Sequence, residues 1–393
     1  MGSLPKKKFL ATIISAFLFC PPLLAQQPAH PNPKAIAEHG QIALAAGEYA
    51  TAEHDFNQLL KLGVRSPSVY SNLGVVYLRT GRVDEAIRVL LKAKALAPGV
   101  PGIRLNLGLA YFRKREFKMA APYFGDVLAS EPANLQAHYL KGLCHFMMDD
   151  LPAAIASFEP IQDREQDDLE FLFMLGTSYG MVKRTDDSRR IFERLVAAGG
   201  DTPHLHLLLG KAYLALNQLE PAETELRRAA EANSLPYAHY YLARLYEQKG
   251  DLDRAISEWE KEIAVFPENI WAYKELAETR QDRGETPAAI ALLEKGTARN
   301  PDSPDLLTFL ARAYLQSSDA ACAIPLLKRA LALDPGNGST HFQLGRAYQA
   351  SGHPQEAQSE MAKARTLMKG TSEGKMGALS RDRAEDSPPA EHQ

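Results

Sequence analysis

Residues 71–98, SNLGVVYLRTGRVDEAIRVLLKAKALAP, read as two amphipathic helices joined by a turn at Gly81. Leu73, Gly74 and Tyr77 fall on one face of the first helix. Ala86, Leu90 and Ala93 share a face of the second, and Pro98 ends it. Neither helix can bury its apolar stripe alone, so such a hairpin needs copies of itself on either side.

The copies follow at a period of 34 residues. With Gly74 at position 8 of the frame, that position also holds Gly40, Gly108, Gly142, Gly176 and Gly210. After a one-residue shortening it holds Ala243, Ala277, Ala311 and Gly345. Position 20 is Ala in every repeat but the fifth, where it is Ser188, and position 24 is always large and apolar, from Phe56 and Leu90 through Trp259 to Met361. Tyr recurs at position 11 as Tyr77, Tyr111, Tyr179, Tyr213, Tyr246, Tyr314 and Tyr348. Small residues at 8 and 20 mark the closest crossing of the two helices, whose axes then pack at about 8–10 Å. Overpacking such a crossing costs on the order of 1–3 kcal/mol.

Ten registers in phase resemble the tetratricopeptide repeat family, whose period carries Leu-Gly, Tyr, Ala, Phe and Pro at these positions. The resemblance runs from Pro33 to about Lys369. It implies an all-α, right-handed superhelical solenoid of about ten helix-turn-helix repeats. Departures are local: His39 and Ala43 in repeat one, Lys141 and His145 in repeat four, and Arg280 in repeat eight replace the usual residues. The terminal Pro gives way to Val64, Gln166, Gly200 and Ser234 in repeats one, four, five and six, where re-angled junctions are expected.

Composition bounds the rest. The chain has 393 residues, 45% apolar and 24% charged, with a formal charge of −3, and lacks the basic excess that a nucleic-acid footprint requires. Lys6, Lys7 and Lys8 precede an apolar run from Phe9 to Cys20 and then Leu23-Leu24-Ala25, the layout of a secretory signal over residues 1–25. An uncleaved anchor and a lipid-anchored Cys20 are the alternatives; membrane contact is expected only if this segment is retained. A linker (26–32), the solenoid (33–369) and a polar tail (370–393) that reads as disordered complete the organisation. Export to the periplasm or the cell exterior follows. Beyond the leader only Cys144 and Cys322 remain, too far apart in the repeat frame for a disulfide.

No glycine-rich phosphate loop, paired-cysteine zinc spacing, His-Glu-x-x-His or nucleophile elbow appears, so neither a cofactor nor catalysis is expected. His138, His206, His239 and His341 all occupy position 4 of their repeats, in different layers, and read as core-packing residues rather than a metal cluster.

The resemblance places function on the concave surface, lined by helix-A positions 2, 5, 9, 12 and 13. In repeats three to six these supply Leu105, Leu109, Phe112, Tyr139, Leu143, Phe146, Phe173, Leu207 and Leu214, an apolar trough suited to an amphipathic helix or extended segment of a protein partner. Superhelical curvature that packs these side chains on one another is the other reading. From repeat seven the face becomes basic and aromatic: Tyr237, Tyr240, Arg244, Trp271, Lys274, Arg312, Phe342 and Arg346, with Glu278 interrupting. That set reads either as a track for carboxylate-bearing ligands or as a solvated polar face. The expectation is an exported, non-catalytic scaffold for protein interaction or envelope assembly. Two other readings stay open. One is self-association through Leu367 and Met368 of the last repeat, and the other is a hydrolase or glycan-modifying enzyme using Glu278, which has no evident carboxylate partner in the sequence frame.

Overall fold

The computed structural model describes residues 32–165 and 168–369. The leader expected over 1–25 and the tail expected over 370–393 lie outside the described residues. Among those described, twenty α-helices and no strand pair into ten hairpins. The first helices are α1 (Pro33–Ala45), α3 (Pro67–Arg79), α5 (Pro101–Arg113), α7 (Leu135–Met147), α9 (Leu169–Met181), α11 (Pro203–Ala215), α13 (Ala238–Gln248), α15 (Ile270–Asp282), α17 (Pro304–Gln316) and α19 (Gly338–Ala350). Their partners are α2 (Tyr49–Lys61), α4 (Val83–Leu96), α6 (Phe117–Ser130), α8 (Leu151–Phe158), α10 (Thr185–Gly199), α12 (Leu219–Glu231), α14 (Leu252–Val265), α16 (Thr286–Arg299), α18 (Ala320–Leu333) and α20 (Pro354–Lys369).

Local chemistry sets the helix ends. Asn32, Ser66, Asn134, Asp168, Thr202, Asn269, Ser303 and Asn337 each accept a first-turn N–H at the head of a first helix. Within every hairpin the chain reverses through one residue of positive φ at position 15. Half of these are Gly, including Gly81; Arg115, Asp149, Lys183, Asn217 and Ser318 take the same left-handed conformation without it.

Packing explains the small residues. A Cβ added at Gly74 would lie 2.5 Å from Leu90, and one at Gly108 would lie 2.6 Å from Phe124, so position 8 is small because the large residue at position 24 lies over it. Position 20 lies against position 8 of the first helix: in the fifth hairpin the Ser188 hydroxyl donates to the Gly176 carbonyl at 2.8 Å. Adjacent hairpins are joined through position 11. The Arg82 guanidinium lies 4.3 Å above the Tyr77 ring and donates to Glu53 of α2 at 2.7 Å. Arg184 and Tyr179 hold Glu159 in the same way, and Arg254 and Tyr246 hold Glu223 of α12.

Three of the four junctions without the terminal Pro are irregular. After Phe158 the second helix of repeat four tightens into a 3₁₀ turn, Glu159–Ile161, around Pro160. Gly200 takes a positive φ of 60° between α10 and α11. Tyr237 is left-handed at φ 69° and starts α13 late. The fourth junction is regular, since Gly63 at φ 84° lets Val64 bond back to Leu59 and close α2 without a Pro.

Candidate functional site

The first-helix face that reads as an open apolar trough is largely closed. Leu143, Phe146 and Phe173 are all buried, within one apolar cluster that also holds Leu172 and Phe171. The Phe146 and Phe173 rings meet edge-on with centroids 6.3 Å apart. Leu105, Leu109, Phe112 and Tyr139 are half-buried: Phe112 packs edge-on against Phe117, and Tyr139 lies against Phe158 and Phe171. Close packing of successive first helices is the physical reason, because it leaves long apolar side chains nothing nearer than one another.

The open part of the face lies further along, and it is not simply basic. Tyr240 is buried, with its ring edge-on to Tyr237 and Tyr241. Arg244 is half-buried. The Lys274 side chain retains only 12% of its exposure, with Nζ 2.8 Å from Glu275 Oε1 and 3.0 Å from Glu278 Oε2. Arg312 of α17 reaches back to Glu278 of α15 at 3.0 Å. A cation series in sequence thus becomes a cross-linked network of both signs. Beside it Trp271 stands edge-on to Phe309, with centroids 5.6 Å apart. Phe342 is 42% exposed, and Arg346 is exposed, with Nη1 3.2 Å from Gln343 Oε1.

Glu278 does acquire carboxylate neighbours in three dimensions. The Glu247 carboxyl is pushed above the usual carboxylate range by burial and then by Glu275, with Glu278 adding to the effect and Arg244 and Lys274 opposing it. Glu278 itself accepts from two cations, Lys274 and Arg312. Sequence reading passes over Glu247, Glu275 and Phe309. The i,i+4 spacing of Lys274 and Glu278 is the signal that points to such a network.

The position-4 histidines are not merely core filler. His206, His239 and His341 each place Nδ1 on a carboxylate of the partner helix: Glu225 at 2.5 Å, Glu258 at 2.6 Å and Glu360 at 2.5 Å. His138, whose repeat has Ser157 at the corresponding place, meets the Ser157 carbonyl instead at 3.2 Å. Among the described residues no group of three or more His, Cys, Asp or Glu is placed to hold a metal ion, and no helix is long and apolar enough to cross a membrane.

Comparison with known proteins gives the following. A tetratricopeptide repeat model matches residues 38–101, 105–169, 173–236, 207–269 and 274–338, and a second tetratricopeptide repeat model matches 314–373. The chain is 30% identical over 260 residues to the cellulose synthase operon protein C of Xanthomonas axonopodis pv. citri, covering 61% of this chain and 17% of that protein. It is 25% identical over 219 residues to the CTR9 homolog of Arabidopsis thaliana, covering 53% and 20%. The chain therefore spans a fifth or less of the length of these two relatives. A crystal structure of a tetratricopeptide repeat protein from Parabacteroides merdae superposes with a TM-score of 0.53 at 17% identity, covering 63% of this chain and 98% of that one.

Proposed function

The chain belongs to the tetratricopeptide repeat family, and from that premise we propose that it is an exported, non-catalytic scaffold whose concave face in repeats seven to ten holds a segment of a protein partner. The observation that carries this reading is the contrast along the face. In repeats four and five Leu143, Phe146 and Phe173 are buried, whereas in repeats eight to ten Trp271 and Arg312 remain partly accessible and Phe342 and Arg346 exposed, beside a charge network. An aromatic and Arg-bearing surface is the composition that interface anchors favour. Paired charges of both signs fix the register of a bound segment more than they add affinity.

Export rests on Lys6, Lys7 and Lys8 ahead of the apolar run that ends near Ala25. Assembly of a complex at the cell envelope fits that address, and a relative named as a cellulose synthase operon protein is in keeping with it.

The test is crosslinked affinity capture from the protein's own cells. It compares the wild type with Trp271→Ala/Arg346→Glu and with Leu105→Ala/Phe112→Ala, after circular dichroism has shown all three folded. A partner lost in the first variant and kept in the second supports the assignment. The same partners in all three, or loss in the second alone, overturns it. Export is tested separately by N-terminal sequencing of the mature chain, where a start at Met1 refutes cleavage.

A further inference from the structure

Each position-4 histidine of repeats six, seven and ten is held at both ring nitrogens. His206 of α11 lies between Glu225 of α12 and Asp201 of the preceding loop, the latter at 2.8 Å from Nε2. His341 of α19 lies between Glu360 of α20 and the Pro335 carbonyl, at 3.2 Å. His239 of α13 lies between Glu258 of α14 and Asn233 Oδ1, at 2.6 Å. The other charged groups around them are accounted for: Arg228 shares Asp201, Lys261 shares Glu258, Glu262 faces His239, and Lys363 shares Glu360.

A neutral imidazole donates from one nitrogen and accepts at the other, whereas imidazolium donates from both. Carboxylate oxygens and a main-chain carbonyl can only accept. At His206 and His341, therefore, only the protonated ring satisfies both contacts; the neutral ring sets a lone pair against an acceptor, as it does at His138, which lies between the Ser157 and Pro132 carbonyls but meets no carboxylate. His239 differs, because rotation of the Asn233 amide turns its acceptor into a donor. The pairing is built into the repeat. Position 23 carries Glu where position 4 is His in repeats six, seven and ten, and Val89, Tyr123, Ile191, Leu292 or Leu326 where position 4 is Tyr70, Arg104, Leu172, Tyr273 or Leu307. In repeat one, Asp55 at position 23 binds His39 instead, at 2.5 Å.

We propose that hairpins six and ten, which bracket hairpins seven to nine of the open groove, carry proton-dependent clasps that tighten in mild acid and loosen as the rings lose their protons. Position 4 adjoins position 5, which holds exposed Phe342 of the groove in repeat ten and buried Leu207 in repeat six, so the His341 clasp sits beside a groove residue. The carboxylate side is consistent. His206, and then Arg228, hold Asp201 below the usual carboxylate range; Glu360 lies below it against the pull of burial, through Lys363 and His341. Those oxygens thus stay charged across the span of about pH 5–8 in which imidazoles change charge.

Hydrogen exchange followed by mass spectrometry on the full chain at pH 6 and pH 8, with times scaled for intrinsic rates, tests this. Protection of α11–α12 and α19–α20 is expected to drop by about fivefold relative to α15–α16 and α17–α18, the factor that one net hydrogen bond implies. Hairpin α13–α14 is expected to change less. His206→Gln with His341→Gln should abolish the difference, and a variant that keeps it overturns the proposal. So does an equal change in all five hairpins of the wild type, a comparison that decides the matter even if the variant does not fold. Nitrogen-15 spectra of the imidazoles give a second readout: a neutral His206 or His341 ring in the folded chain at pH 6 also overturns it.

Discussion

Glu262 shows what a single residue does in this repeat. Position 27 is otherwise apolar or Gly, with Leu59, Ala93, Val127, Ile161, Leu195, Ala229, Gly296, Ala330 and Ala364, yet here it is a fully buried carboxylate. It accepts from the Tyr237 N–H at 2.8 Å, the Asn269 amide at 2.9 Å and the Tyr240 N–H at 3.3 Å. The two main-chain N–H groups are the orphan donors left where the frame shortens by one residue and α13 begins without a side-chain cap, while Asn269 caps the start of α15. Glu262→Ala should therefore destabilise repeat seven by about 2–3 kcal/mol, read as local loss of exchange protection, since each buried donor left unpaired costs about 1–3 kcal/mol. Burial, opposed by those donors, holds its carboxyl above the ordinary range. The folded chain then binds this proton more readily than the unfolded one, so the group's contribution is greatest below about pH 4.5 and fades as pH rises through the folded value. Glu262→Gln, which cannot titrate, should gain on the wild type in midpoint between pH 4 and pH 7. A constant difference across that range would refute the assignment.

At the scale of helices, magnitude separates two contacts that look equally specific. Ala255, at position 20 of repeat seven, is fully buried at the crossing of α13 and α14. Ala255→Leu should cost about 1–3 kcal/mol through overpacking. The Arg82 clasp on Glu53 and Tyr77 is partly exposed, with 39% of the Arg82 side chain open to solvent, and an ion pair of that kind contributes about 0–1 kcal/mol. In paired melts Ala255→Leu should thus lower the midpoint clearly more than Arg82→Ala; the reverse order would show that junctions, not crossings, limit stability. The crossing was legible in sequence because small residues recur at 8 and 20. That position 8 is capped by position 24 was not, since the pattern records size and not contact. The His–Glu pairs were legible in principle, but only once positions 4 and 23 of the same repeat are compared, nineteen residues apart. Closure of the trough was one of two readings the sequence left open, and Lys274 with Glu278 signalled mixed charge; the link from Arg312 to Glu278 was not legible, because the two lie in different repeats and nothing in the period says how far a side chain reaches.

For the molecule as a whole the question is how far damage travels. In a solenoid each hairpin touches only its neighbours, so stability is approximately a sum of hairpin and interface contributions. Here the regular series is interrupted at three successive junctions: the 3₁₀ turn at Glu159–Ile161, Gly200, and left-handed Tyr237. Cys144 lies before these interruptions and Ala255 after them. The Cys144 thiol is buried, and burial pushes its ionisation upward, so it should react only when hairpin four opens, whereas exposed Cys322, whose ionisation the Asp319 carboxylate also pushes upward, should react without any opening. Its labelling rate is therefore a gauge of hairpin four alone. If the irregular junctions divide the chain, Ala255→Leu should open repeats seven and eight while changing the Cys144 rate by less than about twofold, because the loss is confined to neighbouring interfaces. A Cys144 rate that rises in step with the fall in overall stability would mean that the ten hairpins unfold as one cooperative unit and that the junctions transmit strain rather than absorb it.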